Sequence, residues 1–401
     1  MRHVVMAGAG IAGLTAALSL ARHGTKISVF DRAPELHEAG AGLQLPPNAT
    51  RVMADLGLLE RLRETAVRPD RLRIRRGRDG ATIVDLPFGA AAEARYGAPL
   101  LVIHRADLQA ALLEAVWAHP SITIETGQSV TSFAVDGGTV IANLSSEGHN
   151  RSIASDGLIG ADGLRSSIRS RLAADRGDDR TYAGRIAWRT LVPAAEAPAF
   201  ARASATNLWL GSDAHLVHYP VRGGALINVV AIVADRWEGS EAAPSLWTVR
   251  GDSARLKKPF AAWSREARDL IEAAPDWRIW PLFDRPPLAR WSTGPITLVG
   301  DAAHPALPFL AQGAAGAIED GWALGLAAAR HPSDTPATFA AYERLRHAKA
   351  DRVQRESRRQ GSVYHFGAVA GMARDLAMRS MGQRRMLDRY DWLYGKPAAD
   401  A

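Results

Sequence analysis

The run Gly8-Ala9-Gly10-Ile11-Ala12-Gly13 sets three glycines where the buried stretch His-Val-Val-Met-Ala (residues 3–7) gives way to an apolar helical pattern. In such a run the first glycine permits a tight turn. The second lets a pyrophosphate approach the backbone, and the third lets helix and strand pack closely. The helix start adds free N–H groups and a dipole that favours phosphate. Asp31 ends the next predicted strand (27–30), within reach of a ribose hydroxyl. Gly8, Gly10, Ala12, Gly13 and Asp31 therefore read as a dinucleotide site.

Two shorter motifs follow. Gly160-Ala161-Asp162-Gly163-Leu164-Arg165 comes after the apolar pair Leu158-Ile159. Val299-Gly300-Asp301-Ala302-Ala303-His304-Pro305 continues through Pro308 to Gln312-Gly313. Taken singly, each Asp-Gly or Gly-Asp pair is as consistent with a turn as with a site. A third stretch, His215-Leu216-Val217-His218-Tyr219-Pro220, reads as a strand. Alternate strand residues share a face, so His215, Val217 and Tyr219 lie on one side and His218 on the other. A histidine, with an ordinary pKa of about 6.5, is suited to proton transfer. On the residues alone, a sheet histidine that simply hydrogen-bonds a neighbour competes with that reading.

Taken together, and in this order along nearly the whole chain, the dinucleotide glycines, the Asp-Gly motif and the Gly-Asp motif resemble the class A FAD-dependent aromatic hydroxylases. Further stretches are similar to the subgroup of 3-hydroxybenzoate 6-hydroxylases, salicylate hydroxylases and 6-hydroxynicotinate 3-monooxygenases. They are Gly40-Ala41-Gly42-Leu43-Gln44, the His215 strand with Arg222-Gly223-Gly224, Ala311-Gln312-Gly313-Ala314 with Glu319-Asp320, and Asp391-Trp392-Leu393-Tyr394-Gly395.

The resemblance implies FAD as cofactor, with Asp31 on the adenosine ribose and Arg32 near the adenine end. It implies Arg105 at the phosphate and ribityl region, Val130 meeting the adenine through its backbone, and Asp162 near the pyrophosphate and the NAD(P)H path. Asp301 would bind the ribityl chain, and Gly42 would lie beside the cofactor. The N–H groups of Gly313, Ala314 and Ala315 would face the flavin N1–O2 edge. That placement has its own reason, because reduced flavin carries negative charge there and a helix start stabilises it.

The implied reaction consumes NADH or NADPH and dioxygen and hydroxylates a small aromatic acid through a flavin C4a-hydroperoxide. His215 and Tyr219 would be the catalytic pair that orients and deprotonates a phenol. Gln44, Pro308 and Phe309 would line the substrate pocket, and His304 would pack beneath the flavin. Trp188, Arg189, Trp209 and Arg222 would line or flank the pocket, with surface salt bridging the competing role for each arginine. The pyridine hydroxylases of the subgroup have histidine at the places of Gln44 and Phe309, so their absence favours a benzenoid acid. The hydroxybenzoate hydroxylases have a polar pair where Pro308-Phe309 stands; the apolar wall Leu307-Pro308-Phe309-Leu310 implies a less polar ring or a shifted carboxylate. The rivals are a flavoprotein oxidase or reductase on the same fold and a FAD-binding protein without hydroxylase activity. Neither would form a hydroxylated product.

These motifs need elements to hold them. The expected fold is α/β: a discontinuous, doubly wound, Rossmann-like FAD domain (1–72, 98–180 and 288–340), an inserted mixed β-sheet substrate domain (73–97 and 181–287) and a C-terminal helical segment (341–401). Asn48 is expected to cap a helix over 51–62. Asp79-Gly80 reads as a hairpin turn, with further turns at Gly137-Gly138 and Glu147-Gly148 and a break at Pro244. Residues 296–299 read as a short strand and 313–329 as a helix of small residues. The 401 residues suffice for about two domains.

Cysteine is absent, which excludes a disulfide framework, a thiolate metal site and the paired-cysteine disulfide reductases, and favours a reducing, cytoplasmic setting. No metal site is expected. The net charge of +7 suits anionic ligands. The basic residues are spread out, and the denser stretches at 344–359 and Arg384-Arg385 read as solvated helix faces rather than a nucleic-acid surface. Met1-Arg2-His3 before an apolar run superficially resembles a signal peptide, but the phosphate-loop glycines make it a first βαβ unit. No membrane span is expected, and the chain would be a monomer or homodimer.

Overall fold

The computed structural model describes residues 3–36, 41–146, 148–174, 177, 179–238, 249–274 and 276–395. Met1, Arg2, Gly40, Glu147, Pro244 and residues 396–401, which figured in the sequence reading, lie outside the described residues.

The first buried run forms the strand His3–Ala7, which pairs in parallel with Lys26–Asp31 on one side and Gly157–Gly160 on the other. Ile122–Thr126 and Ile296–Leu298 extend the sheet in parallel, and Ser292–Thr293 closes one edge antiparallel. Strands from the start, middle and late chain thus share one sheet, as a discontinuous doubly wound domain requires. Their near-continuous apolar runs follow from burial on both faces.

The helix Ile11–Ala21 lies against the helix Gly313–Arg330. Small residues make this possible: a Cβ on Gly321 would stand 2.6 Å from the Thr15 side chain, and one on Gly325 3.1 Å from Ser19. The close seam brings both helix starts to the same cavity.

A seven-stranded mixed sheet forms the second layer. Its order is Arg278–Asp284, Thr181–Pro193, Leu226–Ala234, Ala214–Val221, Ala205–Gly211, Arg71–Arg76 and Thr82–Pro87. Only the pair Ala205–Gly211 and Arg71–Arg76 is parallel. The outer face of this sheet carries its own core, including Trp188, Trp209, Trp263 and Trp277. The three-stranded antiparallel sheet His149–Ser155, Thr139–Ser146 and Ser129–Asp136 and the pair Gly42–Leu45 with Leu101–His104 complete the β structure among the described residues. The 30-residue helix Thr335–Tyr364 and the helices Ala368–Ser380, Gly382–Asp388 and Asp391–Tyr394 end the described chain. No helix among the described residues is long and apolar enough to cross a membrane.

Two sequence expectations shift. Asn48 is not a cap: the helix runs Pro47–Asp55 with Pro46 at its N-cap, and a separate turn, Leu59–Arg63, follows. Proline at the first helical position starts the helix without needing a side-chain cap. The basic stretch 344–359 is also not simply a solvated face. Arg344, Arg352, Arg355 and Arg359 are exposed, but Arg346 is 5% exposed and paired with acids of another helix.

Candidate active site

A cavity of about 380 Å³ opens between the two layers. Its floor is the glycine loop and the start of the helix Gly313–Arg330; its roof is one face of the seven-stranded sheet. Gly10, Ala12, Gly42, Gln44, Arg105, Asp301, Pro308, Gly313, Ala314, His215 and Tyr219 all line it.

Gly8 has φ of +111°, and a Cβ there would sit 2.4 Å from the Ala161 carbonyl oxygen; one on Gly13 would sit 2.0 Å from the Gly8 oxygen. These two glycines let the loop close on itself. Gly10 differs: a Cβ there would meet nothing within 4 Å and would project into open space. Asp31 accepts from the backbone N–H of Ala9 and of Ala33, each at 2.8 Å, so it braces the loop from the next strand. Asp162 binds the Ser167 N–H at 2.7 Å through Oδ2, while its buried Oδ1 has no hydrogen-bond partner. Val130 presents its carbonyl to the Ser167 hydroxyl at 3.0 Å. Arg32, Val130, Asp162 and Ala315 do not line the cavity itself.

The helix Gly313–Arg330 begins without a side-chain cap, after Ala311 in a left-handed conformation (φ 53°). Its first N–H groups remain available to an anion. Behind it lies a buried ionic network. Arg346 donates to Asp320 at 2.8 Å and to Glu319 at 3.0 Å, Lys349 pairs with Glu319 at 2.5 Å, and Asp320 also accepts from the Gly300 N–H at 2.8 Å. His304 belongs here: its Nε2 is 2.6 Å from Asp320 and its ring lies 4.8 Å from that of Trp291. The cationic partners hold both buried carboxyls below their ordinary range, against the burial that would raise them. Asp301 exposes its side chain to the cavity, and the protein atoms packed around it raise its pKa.

On the roof, His215, Val217 and Tyr219 face the cavity as strand alternation requires, beside Val230, Ile232 and Arg189 of neighbouring strands. His218 points to the other face, between Phe200 and Trp209. His215 is held neutral, its pKa well below the ordinary value through burial first and then the neighbouring His365 and Arg185. Burial raises Tyr219, which stays protonated. Arg189 is lowered to about 10 by burial and by Arg105, which leaves it charged near neutral pH. Arg222 instead bonds Asp107 at 3.1 Å on the surface, and Trp188 and Trp209 are sealed in the outer core. Phe309 stands behind the lining, against the rings of His215, Tyr364 and His365. Gly40 lies outside the described residues, but Gly42 is fixed: its N–H donates to Asn228 at 2.7 Å, and a Cβ would be 2.8 Å from the Tyr219 ring.

The sequence matches the FAD binding domain family over residues 1–357. It is 36% identical to 3-hydroxybenzoate 6-hydroxylase of Polaromonas naphthalenivorans over 98% of this chain and 95% of that protein. The chain belongs to the class A FAD-dependent aromatic hydroxylases. It is also 35% identical to a 3-amino-4-hydroxybenzoate 2-monooxygenase of Streptomyces platensis, over 99% of this chain and 96% of the relative. Among solved structures, Klebsiella pneumoniae HpxO complexed with FAD and uric acid matches with a TM-score of 0.85 at 25% identity, covering 99% of this chain and 98% of that one.

The residues of this hydroxylase fit FAD. The open side of Gly10 and the uncapped start of the helix Gly313–Arg330, both on the cavity, lie where a dinucleotide needs donors and room. Among the described residues no cluster of histidine and acidic side chains is arranged to hold a metal ion.

The sequence reading missed Asn228, Arg346, Lys349 and His365. Asn228 and His365 carry no motif, and their partners lie 186 and 150 residues away. For Arg346 and Lys349 a signal existed: Glu319-Asp320 opposite a basic helix is a charge pairing waiting for a fold.

Proposed function

We propose that the protein hydroxylates a small benzenoid acid bearing a phenol, with NADH or NADPH as reductant and dioxygen as oxidant. The observation that carries this is His215 and Tyr219 on the same cavity-facing side of one strand, with Val217 between them and charged Arg189 also lining the cavity. Bound FAD would supply the two-electron reduction and the activation of dioxygen.

The chain's own residues do the rest. His215, neutral at rest, accepts the phenol proton and so makes the ring electron-rich. Tyr219 donates to the ring oxygen and fixes its orientation. Arg189 meets the carboxylate by a charge-assisted pair. Leu307 and Pro308 form an apolar wall that admits a flat ring and keeps bulk water out. Gly10, Ala12 and Arg105 would hold the phosphates, Asp31 and Arg32 the adenosine end, Val130 the adenine and Asp301 the ribityl chain, with Asp162 near the pyrophosphate. The N–H groups of Gly313, Ala314 and Ala315 would favour negative charge at the flavin edge they face.

The substrate similarity of the relatives supports this reading: hydroxybenzoates and aminohydroxybenzoates are in the names of those matched at about one-third identity. The test is NADH and NADPH oxidation in air across hydroxybenzoates, aminobenzoates and hydroxynicotinates, with mass spectrometry of products. A benzenoid acid that speeds oxidation and gains one oxygen supports the proposal. Stimulation that yields only hydrogen peroxide with every member overturns it.

A further inference from the structure

The helix Ala368–Ser380 is built inside out. Arg374 and Asp375 face inward, each with a side chain 5% exposed, together with Gly371 and Met378. The opposite face carries Val369, Met372, Ala373 and Leu376, at the i, i+3, i+4, i+7 spacing of a single helical stripe, and it lies in water. Val369, Met372 and Leu376 are 77%, 57% and 70% exposed, and Phe366, just before the helix, is 37% exposed. The exposed residues from Phe366 to Ala377 are all uncharged. A surface helix ordinarily shows the reverse, with its apolar stripe on the core and its charges in solvent.

The helix is fastened in this orientation. Arg374 donates to Oδ1 of Asp375 at 2.8 and 3.0 Å, and to the carbonyls of Val363 and Tyr364 at 3.1 and 2.9 Å. Met378 packs with Ile83, Val84 and Met386 beside the outermost strand of the seven-stranded sheet, and Arg379 donates to the Thr82 carbonyl of that strand at 3.4 Å. Rolling the stripe inward would strip a buried ion pair of these partners, which is costlier than leaving the stripe in water. The four large side chains therefore present on the order of 400 Å² of apolar surface, the scale at which a patch on a soluble protein marks an interaction site.

We infer that this face is the contact surface between two copies of the chain, paired through antiparallel Ala368–Ser380 helices about a two-fold axis near Met372 and Ala373. The stripe is complementary to itself in that arrangement. Leu376 of one copy lies against Val369 of the other, Met372 and Ala373 pack across the axis, and Arg379 lies over the Phe366 ring of the other copy. Ala370, Ala373 and Ala377 beside the larger side chains leave grooves for them to enter. With these alanines, two copies would cover about 1,000 Å² in total, the size a specific interface needs.

Charge favours a second copy over an anionic surface. A helix that lies on an anionic membrane carries cations along its polar face. Here the one exposed charge among the helix's described residues, Arg379, stands in its last turn. Antiparallel pairing sets the two Arg379 side chains about 20 Å apart at 1.5 Å per residue. That is well beyond the ~8–10 Å over which exposed charges interact at ordinary ionic strength. The face also begins directly after His365, whose Nε2 lies 2.7 Å from Nδ1 of His215, so the copies would join at the wall of the cavity.

The test is the mass of the FAD-loaded full-length protein by sedimentation equilibrium over a wide range of concentration. The wild type should be a dimer. Leu376→Glu changes a largely exposed side chain, so it should keep its fold and flavin. Its dimer dissociation constant should rise at least about hundredfold, because two unpaired carboxylates would be buried in one symmetric contact. A second variant locates the face without breaking it. The chain has no cysteine, so Ala373→Cys places a single thiol beside the axis, and mild oxidation should link two copies rapidly. Trp117→Cys, exposed at the end of a different helix, should link only slowly by collision.

A wild type that stays monomeric throughout overturns the inference, as does a dimer whose dissociation constant Leu376→Glu leaves unchanged. Linking of Ala373→Cys no faster than of Trp117→Cys refutes pairing about that axis. Binding of a monomeric wild type to vesicles of phosphatidylglycerol and phosphatidylcholine, lost in Leu376→Glu, would assign the face to a lipid surface and overturn the inference too.

Discussion

Gly10→Ala separates the cofactor site from the fold that carries it. Gly10 caps the helix Ile11–Ala21 with φ of −74° and ψ of −178°, an extended conformation that alanine adopts without strain. A Cβ there meets nothing within 4 Å, so the apoprotein loses no packing. Its stability should stay within about 1 kcal/mol of wild type, the stiffer unfolded chain offsetting alanine's poorer fit at a helix N-cap. The methyl group instead points into the space the pyrophosphate must enter. Displacing the phosphates from one backbone N–H forfeits a charge-assisted hydrogen bond of ~1.5–3 kcal/mol, or about ten- to a hundredfold in FAD affinity. The assay is flavin fluorescence quenching on titrating apoprotein with FAD, beside thermal melts of both apoproteins. Gly13→Ala is the contrast, because its Cβ would collide with the Gly8 carbonyl and should destabilise the apoprotein itself. Unchanged FAD affinity in Gly10→Ala, with a folded apoprotein, would refute the placement of the phosphates at this loop.

Other perturbations reach other parts of the account. Asp301→Ala should purify without FAD; full flavin occupancy would remove Asp301 from the cofactor site. His215→Ala should slow hydroxylation and divert NADH oxidation to peroxide, whereas unchanged rate and coupling would remove His215 from the chemistry. Arg346→Met leaves Glu319 with Lys349 alone and Asp320 with His304, and should cost about 3–5 kcal/mol by denaturant unfolding; a loss below about 1 kcal/mol would contradict a tightly coupled network.

His218 is fully buried, both its nitrogens lack partners, and its pKa falls to about 3. Because the folded value lies below the unfolded one, the unfolded chain binds the proton first. The resulting stability is present above about pH 6.5 and is lost as pH falls toward 3, by about 1.4 kcal/mol per pH unit. His218→Phe should flatten that acid limb, and an unchanged pH profile of stability would refute it.

What could be seen in the sequence was what local geometry dictates. The glycine loop has only one way to turn between strand and helix, so Gly8, Gly10 and Gly13 announce themselves. Strand alternation alone put His215 and Tyr219 on one face and His218 on the other. The two layers were legible because parallel strands need crossovers and the antiparallel run between them does not.

What stayed hidden depends on contacts across the chain. Asn48 looked like a cap because caps are local, yet its amide reaches Gln312 at 3.1 Å, 264 residues away. Phe309 follows Pro308 in the apolar wall, but the turn Pro308–Leu310 directs one side chain to the cavity and the other behind His215. Arg346 looked like one more solvated charge until another helix supplied its carboxylates.

The central claim is that this cavity inserts one atom of dioxygen into an aromatic acid. The direct measurement is turnover of the FAD-loaded enzyme with NADH and a stimulating hydroxybenzoate under heavy-isotope dioxygen, with mass spectrometry of the product. The account predicts a hydroxylated acid carrying one labelled oxygen, and loss of that label to peroxide in His215→Ala. A product whose new oxygen comes from water, or labelled peroxide alone from the wild type, would contradict it.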